Sequence, residues 1–178
     1  TYEHKENKYN DFDRELLLPH MYSRLGPTIS VGDINGDGLE DFFVGSPKNQ
    51  KSVIYIQDGT GVFSILKNED IENDFLCEDV GSLFFDFDND NDLDLYVASG
   101  GNDFELNDTL FQDRLYLNDG KGHFSKSLDV LPKMLTSTKV IKTYDFDNDG
   151  DLDLFVGGRL IPGYFPQSPQ SYLLKNEN

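Results

Sequence analysis

Apolar residues fall in short runs along this chain, parted by turns rich in aspartate, asparagine and glycine. Runs this short, rich in Val, Ile, Phe and Tyr, favour β-strands over helices. Thr28–Gly32, Asp41–Gly45, Ser52–Gln57 and Val62–Lys67 read as four strands, with Asp58-Gly59-Thr60-Gly61 between the last two. Asp-Gly between apolar runs is a strong hairpin signal, so the strands are predicted to be antiparallel. The order recurs as Gly81–Phe85, Asp94–Ser99, Arg114–Asn118 and His123–Lys126, the last two around Asp119-Gly120-Lys121-Gly122. A third copy runs through Lys139–Tyr144, Asp153–Gly157 and Tyr172–Lys175, and Asn176-Glu177-Asn178 stands where its hairpin turn would be.

Between the first and second strands of each copy lies an acidic loop. The three are Asp33-Ile-Asn35-Gly-Asp37-Gly38-Leu39-Glu-Asp41, Asp86-Phe-Asp88-Asn-Asp90-Asn91-Asp92-Leu-Asp94 and Asp145-Phe-Asp147-Asn-Asp149-Gly150-Asp151-Leu-Asp153. Each places oxygen side chains at positions one, three, five and nine. Hard cations take such an all-oxygen cage, completed for Ca²⁺ by a backbone carbonyl near position seven (Leu39, Asp92 or Asp151) and by water. Position six must turn with a left-handed backbone, which Gly38 and Gly150 adopt freely and Asn91 tolerates. Two carboxylates ~4 Å apart repel by about 4 kcal/mol near a protein surface. Four in one loop therefore call for a cation, and the first loop, with Asn35 in place of an acid, is expected to bind most weakly.

An EF-hand begins alike but needs a Glu at position twelve and flanking helices. Val44, Val97 and Val156 stand there, inside strand-like runs. Zinc is disfavoured because Cys77, His4, His20 and His123 are scattered. Magnesium prefers few carboxylates with phosphate or several waters, which leaves calcium at about three sites.

The loops start 53 and then 59 residues apart. Four strands per repeat near that period predict an all-β, β-propeller-type array of about three four-stranded antiparallel blades, at about 28–70, 80–128 and 138–178, the last incomplete. Rings use ~4–8 blades, so this is a partial propeller, part of a larger one or a self-associating array. Residues 1–27 form a lead-in whose Leu16-Leu17-Leu18 run is expected to pack on the array, and which could donate the absent strand.

The formal charge of −18 disfavours nucleic acid and anionic lipid. No apolar run reaches membrane-spanning length, so direct insertion is not expected. Cys77 has no partner for a disulfide and reads as a small buried hydrophobe. Loops of modest calcium affinity suit an extracytoplasmic setting.

The run Gly32–Gly45 and the run Phe85–Val97 resemble the FG-GAP, or integrin-α-like, calcium-binding repeat. Asp113–Phe124 and Leu154–Arg159 look like the VCBS-type repeats of bacterial surface proteins, related to the cartilage-acidic-protein group in which ASPIC/UnbV segments occur. The resemblance covers about residues 28–178 and implies a seven-bladed, extracytoplasmic propeller that binds Ca²⁺ and serves adhesion or ligand binding. The sequence departs from it at Asn91 and in blade number. Two functions compete. One is a non-enzymatic binding or scaffolding module that meets a protein or glycan through Gly100–Gln112 or Ile161–Pro169. The alternative is a glycan-binding or glycan-degrading protein that recruits Asp103, Glu105, Asp108 or Asp113, since glycoside hydrolysis needs two carboxylates across a bond.

Overall fold

Strands that alternate apolar and polar residues must bury at least one face, and here stacking of successive sheets does so. The computed structural model describes residues 2–177. Its strands are β1 (Ile29–Gly32), β2 (Asp41–Val44), β3 (Val53–Gln57), β4 (Phe63–Leu66), β5 (Asp79–Phe85), β6 (Asp94–Ser99), β7 (Arg114–Leu117), β8 (Ser125–Ser127), β9 (Ser137–Tyr144), β10 (Asp153–Leu160) and β11 (Tyr172–Leu174). They form three antiparallel sheets in the orders β1-β2-β3-β4, β5-β6-β7-β8 and β11-β10-β9. The chain is thus all-β, with blade-like sheets of four, four and three strands.

Adjacent sheets meet face to face. Phe43 and Ile54 of the first pack with Phe84, Leu95, Val97 and Tyr116 of the second. The opposite face of the second, with Tyr96, Ala98 and Leu115, packs with Ile141, Leu154 and Val156 of the third. All six residues of β6 are buried, because both of its faces are covered. A short helix α2 (Glu69–Asn73) carries the chain between the first two sheets; Asn68 caps it by accepting from the Ile71 N–H at 3.0 Å, and Ile71 is buried.

Buried carboxylates fasten the sheet ends away from the acidic loops. Asp79 meets Arg114 at 2.6 Å and accepts from the Ser46 N–H and the Ser52 hydroxyl, so it ties the second sheet to the β2–β3 loop. Asp113 accepts from the Tyr96 hydroxyl at 2.8 Å, the Ser99 N–H at 2.8 Å and the Thr138 hydroxyl at 2.7 Å, which ties the second sheet to the third.

The lead-in supplies no strand among the described residues. It holds one short helix α1 (Asp11–Arg14) and otherwise acts as a polar strap over these same ends. The Tyr2 hydroxyl donates to the Gly45 carbonyl at 3.1 Å, Arg14 donates to the Phe104 carbonyl at 2.8 Å, and Glu15 accepts from the Phe165 N–H at 2.7 Å. One contact thus reaches each of the three sheets' connecting loops. The expectation for the leucine run holds only for Leu18, which packs with Tyr22 and Leu160. Leu16 and Leu17 are 85% and 82% exposed, because the chain turns there with its polar groups facing the array.

Sheet stacking leaves no room for side chains at the tightest crossings. A Cβ on Gly81 would overlap the Lys139 carbonyl oxygen of the third sheet. Gly81→Ala is expected to cost about 1–3 kcal/mol, the usual range for overpacking, read as a lower urea midpoint at unchanged slope.

Candidate metal centre

Each acidic loop is built on the same hydrogen bonds. The first-position acid accepts from the N–H of the sixth residue: Gly38 to Asp33 at 2.7 Å, Asn91 to Asp86 at 3.1 Å, and Gly150 to Asp145 at 3.1 Å. The fifth-position acid accepts from the seventh N–H, as Leu39 to Asp37, Asp92 to Asp90 and Asp151 to Asp149. Left-handed backbone occurs at position six, as expected, and also at position four, in Gly36, Asn89 and Asn148. The Gly, Asn and Asn found there are the residues that tolerate it, so the signal was present in the sequence.

Position nine does something sequence reasoning missed. Asp41, Asp94 and Asp153 are all buried. In each, one oxygen accepts from the second loop residue (Ile34, Phe87 and Phe146, at 2.9–3.3 Å). The other accepts from the N–H groups of Gln57, Asn118 and Asn176, at or just past the end of the third strand, each at 2.8 Å. The acid therefore staples the loop to the third strand of its own sheet. Neighbouring sheets are joined beside it: the Asn118 amide donates to the Ile34 carbonyl and the Asn176 amide to the Phe87 carbonyl, both at 2.8 Å.

The three loops differ in how far their acids converge. Oxygens of Asp86, Asp88 and Asp94 lie within 4.8 Å of one another, as do those of Asp145, Asp147 and Asp149. Among the described residues, Asp33, Asp37 and Asp41 form no such group. The Asp33 carboxylate is instead taken up by the Gly36, Asp37 and Gly38 N–H groups, and Asn35 accepts from Asp37 N–H.

The second loop meets a test for a cation. Asp86 Oδ1 and Asp92 Oδ1 are buried without a hydrogen-bond partner, a costly state for a charged acceptor in an acceptor-only setting. Burial, then the neighbouring Asp90, Asp88 and Asp86, push the Asp92 carboxyl up to about 6. Burial raises Asp94 to about 6 against the lowering effect of its two N–H partners. Asp90 sits in the same crevice as Asp33, Asp119 and Gly120.

The third loop answers its charge differently. The Lys175 ammonium lies 2.8 Å from Asp147 and 3.5 Å from Asp149. That hydrogen bond lowers the Asp147 carboxyl and raises the lysine. Asp151 accepts from the Asn89 amide at 2.6 Å, linking this loop to the second.

The acids considered for catalysis are each engaged, although Asp103 and Glu105 line one crevice with Arg14. Asp113 is enclosed in its buried network, Asp103 pairs with Lys48 at 3.3 Å, Glu105 faces Arg14 from solvent, and Asp108 caps the 3₁₀ turn Thr109–Phe111. Cys77 is buried, and burial raises its thiol.

The model of the FG-GAP-like repeat matches residues 33–97 and again 86–156, each match running from one acidic loop into the strand that leaves the next. The chain belongs to the FG-GAP-like repeat family. Both FG-GAP-like matches include the second loop, where the unpartnered carboxylate oxygens lie. None of the helices described in this FG-GAP-like chain is long and apolar enough to cross a membrane.

Two predictions follow from the loop geometry. Asp94→Ala removes the acceptor of the Phe87 and Asn118 N–H groups, at about 1–3 kcal/mol in all. The loss should persist in excess chelator, in contrast to that of a purely metal-binding acid, and chemical denaturation measures it. In chelator, Asp92 and Asp94 hold their protons up to about 6 and Glu78, raised by burial, up to about 8, against ordinary values of 3.8 and 4.5. The native state then binds more protons than the unfolded chain across that window, so its stability falls as pH rises. The melting temperature in EGTA is expected to increase as pH is lowered from about 8 to about 5.

Proposed function

We propose that this chain is a calcium-braced, non-enzymatic binding or scaffolding module of an extracytoplasmic protein. The observation that carries it is the second loop, where Asp86, Asp88 and Asp94 converge and buried Asp86 Oδ1 and Asp92 Oδ1 have no partner. Asp86, Asp88, Asp90 and Asp94 would hold the ion there, with the Asp92 carbonyl at position seven. In the third loop Asp145, Asp147, Asp149 and Asp153 would do so, with the Asp151 carbonyl and with Lys175 moving aside. The first loop, through Asp33, Asn35, Asp37, Asp41 and the Leu39 carbonyl, would be the weakest. A bound Ca²⁺ supplies the positive charge that lets these acids approach without repulsion. The residues themselves do the mechanical work: position one closes the turn, and position nine joins it to the third strand. Modest-affinity oxygen sites suit millimolar calcium, which supports a place outside the cytosol.

The non-enzymatic reading is supported by the engagement of Asp103, Asp108 and Asp113 in structural contacts. For recognition, the connection Ile161–Pro169 is better suited than the insertion at Gly100–Gln112. It leaves Tyr164 and Phe165 exposed, whereas Phe104 and Phe111 of the insertion are buried in edge-to-face contact. Exposed aromatics on a fixed frame suit a protein or glycan ligand, and the −18 charge argues against nucleic acid.

Removing calcium with EGTA is expected to lower the melting temperature by several degrees. Asp88→Ala should abolish most of that difference and Asp37→Ala little of it, as followed by differential scanning calorimetry. Superimposable melts with and without calcium would defeat the proposal.

A further inference from the structure

The two outer faces of the array are unlike each other, and each corresponds to a face buried inside it. Superposing the loops by register sets Val31, Phe42 and Tyr55 of the first sheet in the places of Phe84, Leu95 and Tyr116 of the second. The second sheet presents those three residues to the sheet before it. Likewise Phe155 and Leu173 of the third sheet hold the places of Tyr96 and Leu115, which the second sheet presents to the sheet after it. Every junction therefore joins a leading face to a trailing face, and the same rule governs both junctions.

At the ends these faces lie open. Ile29 and Val31 on the leading face are each 60% exposed, and Phe155 and Leu173 on the trailing face are 45% and 60% exposed. Their buried counterparts Tyr96 and Leu115 are fully buried. The polar clip repeats as well. Asn118 and Asn176 reach back to the loop carbonyls of Ile34 and Phe87; Gln57 holds the same place on the first sheet, where its side-chain amide donates to the Glu40 carbonyl at 3.1 Å. Apolar side chains exposed side by side on one sheet face, as Ile29, Val31 and Ile65 are on the first sheet and Phe155 and Leu173 on the third, suit an interaction site.

We propose that the leading face of one copy of this chain docks on the trailing face of a second copy, repeating the junction between its own sheets. The chain carries both halves of that junction, and each end lacks what the other displays. Such a contact is heterologous, so it closes into a ring or extends into a chain. The inference rests on packing and register, and holds whether or not the loops bind calcium.

Sedimentation velocity of the 178-residue chain, over micromolar to hundred-micromolar concentration, tests it. The weight-average mass is expected to rise at least twofold with concentration. Val31→Glu on the leading face and Phe155→Glu on the trailing face should each keep the chain at monomer mass. An equimolar mixture of the two should regain a dimer, because each variant retains the face that the other has lost. Ile65→Lys and Leu173→Lys block the same two faces and serve if either first variant melts abnormally. A wild-type chain that stays monomeric throughout overturns the proposal. So does association of either variant alone at wild-type strength, which would mean like-to-like pairing through one face.

Discussion

A buried carboxylate that accepts two backbone N–H groups at once sits at the hinge of every sheet. Asp41, Asp94 and Asp153 each link the second residue of an acidic loop to the end of the third strand. This fixes the loop's path, and with it the direction in which the remaining acids point. Once the path is set, the acids at positions one, three and five have few other places to go. The fold thus creates its own electrostatic problem, since backbone N–H groups answer only some of the carboxylate oxygens it brings together.

The two ends of the sheets solve that problem in opposite ways. Away from the loops, Asp79 has Arg114 and two further donors, Asp113 has three donors, and the lead-in adds Tyr2, Arg14 and Glu15 as ties. Those acids are satisfied within the chain. At the loop end the second cluster retains buried oxygens without partners, and the third borrows Lys175 from beyond β11. A cation at the loop end, as proposed above, would supply what the chain's own donors do not. The stacking of apolar faces, rather than the loops, supplies the bulk of burial between sheets. The loops act by holding the stacked sheets in one register.

Much of this was legible in the sequence because the repeat encodes it locally. Strand and loop order, the left-handed sixth position and the three-stranded last sheet all follow from residues that are neighbours in the chain. Relations between distant residues were not legible. The pairing of Asp79 with Arg114 spans 35 residues, and nothing near Asp113 marks it as buried among Tyr96, Ser99 and Thr138. The exposure of Leu16 and Leu17 is of this kind too, since hydrophobicity alone does not say which side of a turn meets the core. Position nine was read as a ligand from its spacing, yet its two N–H partners come from either side of its own strand, one of them on a distant stretch of chain. Lys175 was read as the end of a strand, and only the fold carries it to Asp147 and Asp149.

The most direct measurement is a diffraction structure from crystals grown in millimolar calcium, with anomalous scattering used to locate the ion. The expected result is a calcium peak in the second loop, about 2.3–2.6 Å from oxygens of Asp86, Asp88 and Asp90, with position nine still bonded to Phe87 and Asn118. A second peak is expected between Asp145, Asp147 and Asp149, with the Lys175 ammonium displaced. Water alone between Asp86 and Asp88, with Lys175 still seated on Asp147, would contradict it.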